Sequence, residues 1–170
     1  MTDMKSIQAA TRNSTAQDVD FDAFYERLFP RAVALAHALA GSRLAEDIAQ
    51  DAFWVTYQRW DELESPERWL MRVITNRSRS ALRRSYAEAR ALKRLFADRA
   101  TTVVVPEPVA DFWTAVKRLP HRQAQVIALL FVEELSTQEA AGVLECSEAT
   151  VRVHLHRAKQ RLAERFQAEV

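Results

Sequence analysis

Apolar residues recur along most of this chain at steps of three and four, the spacing of one buried face of a helix. Phe21, Tyr25, Leu28, Ala32, Leu35 and Leu39 follow that alternation and predict a first helix, broken at Gly41-Ser42. Ile48, Ala52 and Val55 set the inward side of a second helix over about 44–60. The segment 61–67 reads as a loop, and Pro66 is well placed to open a third helix over 67–90, with Leu70, Val73, Ile74 and Ala81 on one side. Then Thr101-Thr-Val-Val-Val-Pro-Glu-Pro-Val109 breaks the pattern, because β-branched residues and two prolines suit a helix poorly. It reads as part of a linker over 91–110. Beyond it, Phe112, Val116 and Leu119 predict a helix stopped at Pro120, and Val126, Leu129 and Leu130 predict another ending near Glu134. Residues 1–20 are polar and aperiodic, which predicts a disordered tail. The expected fold class is all-α, with two small helical domains over 21–90 and 111–166.

The last part of the pattern is the most specific. Ala140, Ala141 and Leu144 line the inner side of one short helix, and Val151, Leu155, Ala158 and Leu162 form the core stripe of the next. Ser136 or Thr137 stands where an N-cap belongs, and Ser147 is placed to cap the second helix. Ala141 is small where two steeply crossing helices need close approach, as in a helix-turn-helix. The second helix carries Arg152, His154, His156, Arg157, Lys159 and Arg161, a cationic surface suited to the DNA major groove. An ordinary helical hairpin with a solvated basic face is the plainer alternative. The turn has Glu145 where glycine is usual, so a non-glycine residue holds the left-handed position or that position lies one place away.

Only two glycines, Gly41 and Gly142, occur in 170 residues, which agrees with helices joined by short connections. No apolar run is long enough to span a membrane, and the start Met-Thr-Asp-Met-Lys-Ser-Ile-Gln lacks the apolar core of a signal peptide. A single cysteine, Cys146, excludes an intramolecular disulfide and fits a reducing cytoplasm. The net charge is only +1, but its distribution is uneven. Acids prevail from Phe21 to Glu67, and the sign reverses from Arg68 to Arg99. Such a chain can hold a protein partner and DNA at once.

Three constellations carry candidate chemistry. At 100° per residue, Arg72, Asn76, Arg79 and Arg83 fall on one stripe of the third helix, opposite Leu70 and Ile74, with Trp69 and Ser80 flanking it. Guanidinium groups bind phosphates, and asparagine and arginine read base edges. A solvated helix face is the competing reading, although no acid is interleaved here as it would be in a salt-bridge-laced helix. Aromatics crowd before the stripe (Phe53, Trp54, Tyr57, Trp60 and Trp69), more than one short helix can turn inward, and exposed ones would suit unstacked bases. On the second helix Glu46, Asp47 and Asp51 form a separate acidic patch. Without a Glu-x-x-His spacing it reads as a protein-docking surface rather than a metal site. Neither a metal nor a cofactor is expected.

These residues together resemble a family. Asp22-Ala-Phe-Tyr, then Ala45-Glu-Asp-Ile-Ala-Gln-Asp-Ala-Phe-Trp, then Trp69-Leu-Met-Arg-Val-Ile-Thr-Asn76, then Leu119-Pro-His-Arg-Gln123 and the helix-turn-helix are similar, in order, to the extracytoplasmic-function sigma factors of bacterial RNA polymerase. The resemblance covers about residues 21–166. It implies that 21–90 is sigma region 2 and 111–166 is sigma region 4. It further implies that Glu46, Asp47, Gln50 and Asp51 grip the clamp helices of the polymerase largest subunit. Trp69, Arg72, Asn76, Arg79 and Arg83 would recognise and open the −10 promoter element, and Thr150, Arg152, Val153, His154, His156 and Arg157 would read the −35 element. An anti-sigma protein would be a further partner. The chain departs from the family at Ser80 and Ala124, where aspartate and arginine are usual, and at Val153 and His154, where serine and arginine are more frequent. Those changes bear on which promoter is read.

Two other classes compete. A one-component helix-turn-helix regulator, with residues 21–90 sensing a ligand, predicts a homodimer on a palindrome and no affinity for polymerase core. The acidic patch and the separate basic stripe of the first domain speak against it. An enzyme would need a nucleophile–base pair, a phosphate loop or a metal cluster, and none can be assembled from these residues.

Overall fold

A computed structural model describes residues 3–95 and 108–167. Seven helices follow one another, and no strand occurs among the described residues: α1 (Asp3–Ala40), α2 (Ser42–Tyr57), α3 (Pro66–Leu95), α4 (Pro108–Lys117), α5 (His121–Phe131), α6 (Thr137–Leu144) and α7 (Glu148–Gln167). A single 3₁₀ turn, Trp60–Glu62, lies between α2 and α3.

The first three helices form one layer of packing. Leu28, Ala32, Leu35 and Leu39 of α1 are buried as the periodicity requires, joined by Phe24 and Ala36. Gly41 separates α1 from α2 at φ 92°, a backbone conformation that costs glycine least. Ile48 and Ala52 of α2 are buried, Val55 is half-buried, and Phe53 turns inward between them. α1 begins at Asp3, well before the expected start at Phe21. Met, Gln and Ala in that segment are good helix formers, and with no glycine or proline before Pro30 a helix nucleated at 21–40 can propagate backward. Pro30 itself lies inside α1 on the exposed side, where the carbonyl that loses its amide partner can face water.

Aromatic rings close the open end of this bundle. Phe24 meets Trp60 edge-on at 4.8 Å and Phe21 meets the same indole at 5.1 Å, the offset geometry that ring quadrupoles favour. Trp54, by contrast, is 61% exposed and stacks on the half-solvated Tyr57 at 6.2 Å.

The second group of helices is built around α5, which is buried without a break from Gln123 to Leu129. A helix covered on nearly all sides needs neighbours on all sides. It has α4, α6 and α7, and also α1 of the first group. The buried apolar residues, from Phe24 to Leu162, therefore make one continuous core. The two expected domains rest against each other in this structure. Polar contacts cross the seam: the Arg31 guanidinium donates to the Glu133 carboxylate at 2.8 Å, and the Gln125 amide donates to the Thr75 carbonyl at 3.1 Å. Most of the expected linker, residues 96–107, lies outside the described residues.

Candidate nucleic-acid interface

The helix-turn-helix is built from α6, the turn at 145–147 and α7. Ser136 caps α6 reciprocally. Its hydroxyl accepts from the Glu139 amide at 3.2 Å, and the Glu139 carboxylate accepts from the Ser136 amide at 2.8 Å. The Ser136 hydroxyl also donates to the Glu139 carboxylate at 2.7 Å, and this bond, then that of the Ser136 amide, holds the Glu139 carboxyl below its ordinary pKa. Glu145 ends α6 in the left-handed region at φ 51°, so the glycine usual in this turn is replaced in place. At the start of α7 the Ser147 hydroxyl accepts from the Thr150 amide at 3.1 Å, a second N-cap where one was expected.

α7 buries Val151, Ala158 and Leu162 and turns Arg152, Val153, His156 and Arg157 outward. Those four sequence-predicted positions share an exposed surface; Thr150 is half-buried and belongs to the cap. Two residues differ from the expected basic surface. His154 is half-buried with its Nδ1 buried and unpartnered, and burial, then Arg157 and Arg122, lower its pKa, which favours the neutral ring. Arg161 is exposed but donates to Gln123 Oε1 at 3.0 Å, so it ties α7 to α5. Arg152 donates to Glu148 one turn earlier at 2.7 Å.

On α3, the expected stripe lies along the seam between the two helix groups. Trp69 is half-buried, with the guanidinium groups of Arg59 and Arg72 over its ring at 4.7 and 5.5 Å and its indole N–H buried without a partner. Arg72 is ion-paired with Glu145, so the turn of the helix-turn-helix holds the first cation of the stripe. Asn76, Arg79 and Arg83 are exposed. Arg79 stands near enough to His121 to depress its pKa, after burial. Arg59 was not singled out from the sequence, although its place just before Trp60 in the aromatic run was a signal.

Glu46, Asp47, Gln50 and Asp51 are all exposed on α2, on one face as their spacing requires. On their own helix Arg43 stands four residues before Asp47 and lines the same cleft. The fold adds cations from α3: Arg77 donates to Asp51 at 2.7 Å, and Arg84 lines the same shallow cleft as Asp47 and Asp51. Arg77 is thus an ion-pair partner of the acidic patch.

No group of three or more His, Cys, Asp or Glu side chains among the described residues is placed to hold a metal ion. No helix among them is long and apolar enough to cross a membrane.

Comparisons with known proteins agree with this arrangement. Residues 24–88 match the family described as Sigma-70 region 2, and residues 110–162 match Sigma-70, region 4. The RNA polymerase sigma-E factor of Streptomyces coelicolor is 32% identical over 138 residues, covering 73% of this chain and 72% of that protein. The ECF RNA polymerase sigma factor SigW of Bacillus subtilis is 24% identical, covering 94% of this chain and 92% of that one. Two solved structures share the fold. The sigma factor RpoE of Bartonella quintana, in complex with the anti-sigma factor NepR, has a TM-score of 0.67 at 23% identity and covers 89% of this chain and 99% of that one. CnrH, in complex with the cytosolic domain of CnrY, has a TM-score of 0.68 at 22% identity over 96% of each chain.

Proposed function

This chain belongs to the extracytoplasmic-function sigma factors of the sigma-70 family, and we propose that it acts in the cytoplasm as a detachable specificity subunit of bacterial RNA polymerase. A sigma factor is a transcription-initiation factor rather than an enzyme. The exposed acids of α2, Glu46, Asp47 and Asp51 with Gln50, dock on the clamp helices of the largest subunit. Arg152, Val153, His156 and Arg157 read the −35 element in the major groove, with Thr150 and the half-buried His154 at the edge of that surface. Trp69, Arg72, Asn76, Arg79 and Arg83 recognise and open the −10 element.

The observation that carries this reading is the separation of two cationic helix faces, on α3 and α7, from an acidic face on α2. One protein surface and two DNA surfaces on one small chain match an adaptor between polymerase and two promoter elements. In the arrangement described above, Glu145 occupies Arg72 and α6 packs against α3, so bringing Arg72 to the −10 element requires the helix-turn-helix to move off α3. One solved structure of this fold is named as a complex with the anti-sigma factor NepR, and a protein of that kind is the expected restraint on this chain as well.

Promoter melting supplies the test. Capturing an unpaired strand needs cations for the backbone and a pocket or ring to replace lost stacking. Replacing Asn76 and Arg79 with alanine leaves −35 binding and core association nearly intact, while open-complex formation, followed by permanganate reactivity of unpaired thymines, falls. A double variant that melts a cognate promoter as well as the parent contradicts the assignment of the stripe.

A further inference from the structure

The seam holds a second feature that promoter binding does not account for. A cleft of about 450 Å³ opens between α3 and the corner where α4 turns into α5. That volume is in the range of small-molecule sites. Leu39, Leu82 and Leu119 form an apolar part of its wall. Its charged lining is of one sign: Arg79, Arg83, Lys117 and Arg118, beside the His121 ring, with no carboxylate among them.

Elsewhere on the molecule arginines meet acids, as Arg31, Arg59, Arg72, Arg77 and Arg152 do. Among the described residues, none of the cleft's cations is ion-paired. Lys117 is the most telling of them. Its side chain is half-buried, with Nζ 3.7 Å from where a Cβ on Gly41 would stand, and burial lowers its pKa with no anion to restore it. His121 is likewise depressed by burial and then by Arg79, Arg122 and His154. It is also the first residue of α5, whose N-terminus has neither a side-chain cap nor an acid in its first turn. The positive end of that helix adds to the same field.

Deeper in the cleft are two polar atoms without partners. Ser78, 1% exposed, and Gln125, 2% exposed, both line it, and Ser78 Oγ and Gln125 Oε1 are buried and unsatisfied. The Gln125 amide nitrogen is already committed to the Thr75 carbonyl, so the oxygen is left as an acceptor. Buried polar atoms left this way carry a desolvation cost that a ligand donor would remove.

From this combination we propose that the cleft binds a small organic polyphosphate of the nucleoside di- or triphosphate class. Its phosphate chain lies among Arg79, Arg83, Lys117, Arg118 and the α5 N-terminus. The N–H or O–H donors of its nucleoside end reach Ser78 Oγ and Gln125 Oε1 over the apolar wall. A single carboxylate would leave most of the cations unmet, and a bare phosphate would leave the buried acceptor unmet. Because the cleft is lined from both helix groups, the bound molecule bridges them and stabilises their packed arrangement.

Calorimetric titration of the full-length chain with GTP and with ATP, in EDTA, tests this, with inorganic tripolyphosphate as the probe of charge alone. The expected result is saturable one-to-one binding of at least one nucleoside triphosphate that also raises the thermal midpoint. Tripolyphosphate binds at least about ten-fold more weakly, and Lys117→Gln or the exposed Arg118→Gln weakens the nucleotide by about ten-fold while keeping the parental circular dichroism spectrum. Ser78→Ala narrows the gap between nucleotide and tripolyphosphate. Absence of nucleotide binding, equal affinity for tripolyphosphate, or affinity unchanged in both Lys117→Gln and Arg118→Gln overturns the proposal.

Discussion

Arg152 illustrates how much one side chain's role depends on its neighbours. It is exposed near the start of α7, where a major-groove helix presents its first base contacts, yet its guanidinium is held by Glu148. Exposed pairs of this kind contribute little to stability, so DNA can displace the acid readily. Arg152→Ala should weaken cognate promoter binding by about 1–3 kcal/mol if it reads a guanine. Loss at one promoter position marks base reading, whereas a uniform loss with a shallower salt dependence marks a phosphate contact. Unchanged affinity in a mobility-shift titration would remove Arg152 from the interface. The exposure of this residue was legible from its phase relative to Val151 and Leu155. His154 and Arg161 were not legible in the same way, because they turn back toward α5 residues, including Gln123, that lie some thirty to forty places away in sequence. Periodicity along one helix carries no information about such partners.

At the scale of elements, the helix-turn-helix was the most readable part of the chain. Ser147 caps α7 where the spacing indicated, Ser136 rather than Thr137 caps α6, and the left-handed residue is Glu145 itself. A non-glycine residue there carries a conformational cost of about 1 kcal/mol, and the Ser136–Glu139 box is one of the contacts that offsets it. Ser136→Ala should lower stability to urea by about 1 kcal/mol with little change in helical content. An unchanged midpoint would show that the box contributes nothing to folding. Pairing between elements was less readable. The acids of α2 and the arginines of α3 were each apparent, but the antiparallel packing that sets Arg77 against Asp51 follows only from the fold. Helix α1 shows the reverse case. Its buried stripe was clear from Phe21 onward, while its extension back to Asp3 rests on propensity and propagation rather than on an apolar face.

For the whole molecule, the two apolar patterns that read as separate domains close on one another through a seam containing Arg31, Glu133, Thr75 and Gln125. The Glu133 side chain is only 2% exposed, and Arg31 is the cation that holds it, shared with Glu67 at 3.1 Å. Burial raises the Glu133 pKa, and Arg31 opposes that rise. A carboxyl raised in the folded state favours folding when protonated, an advantage present below the ordinary carboxylate range and lost as pH rises through the folded value. Arg31→Ala removes the opposing cation, so its destabilisation should be largest at neutral pH, about 1–3 kcal/mol given that Arg31 is partly solvated, and should shrink on acidification. Urea midpoints at about pH 7 and about pH 5 would reveal this, and a pH-independent loss would contradict it. None of these seam contacts was legible beforehand, because each joins residues from opposite halves of the chain whose local patterns are complete without it.

Reconstitution with polymerase core tests the account most directly. The purified chain, mixed with bacterial core enzyme lacking any sigma factor, should co-elute with it and direct transcripts from a discrete start on a cognate promoter. Reversing Asp47 and Asp51 to lysine should weaken the association without unfolding the chain. Failure to join core, with the chain instead binding a palindromic duplex as a homodimer, would contradict the account.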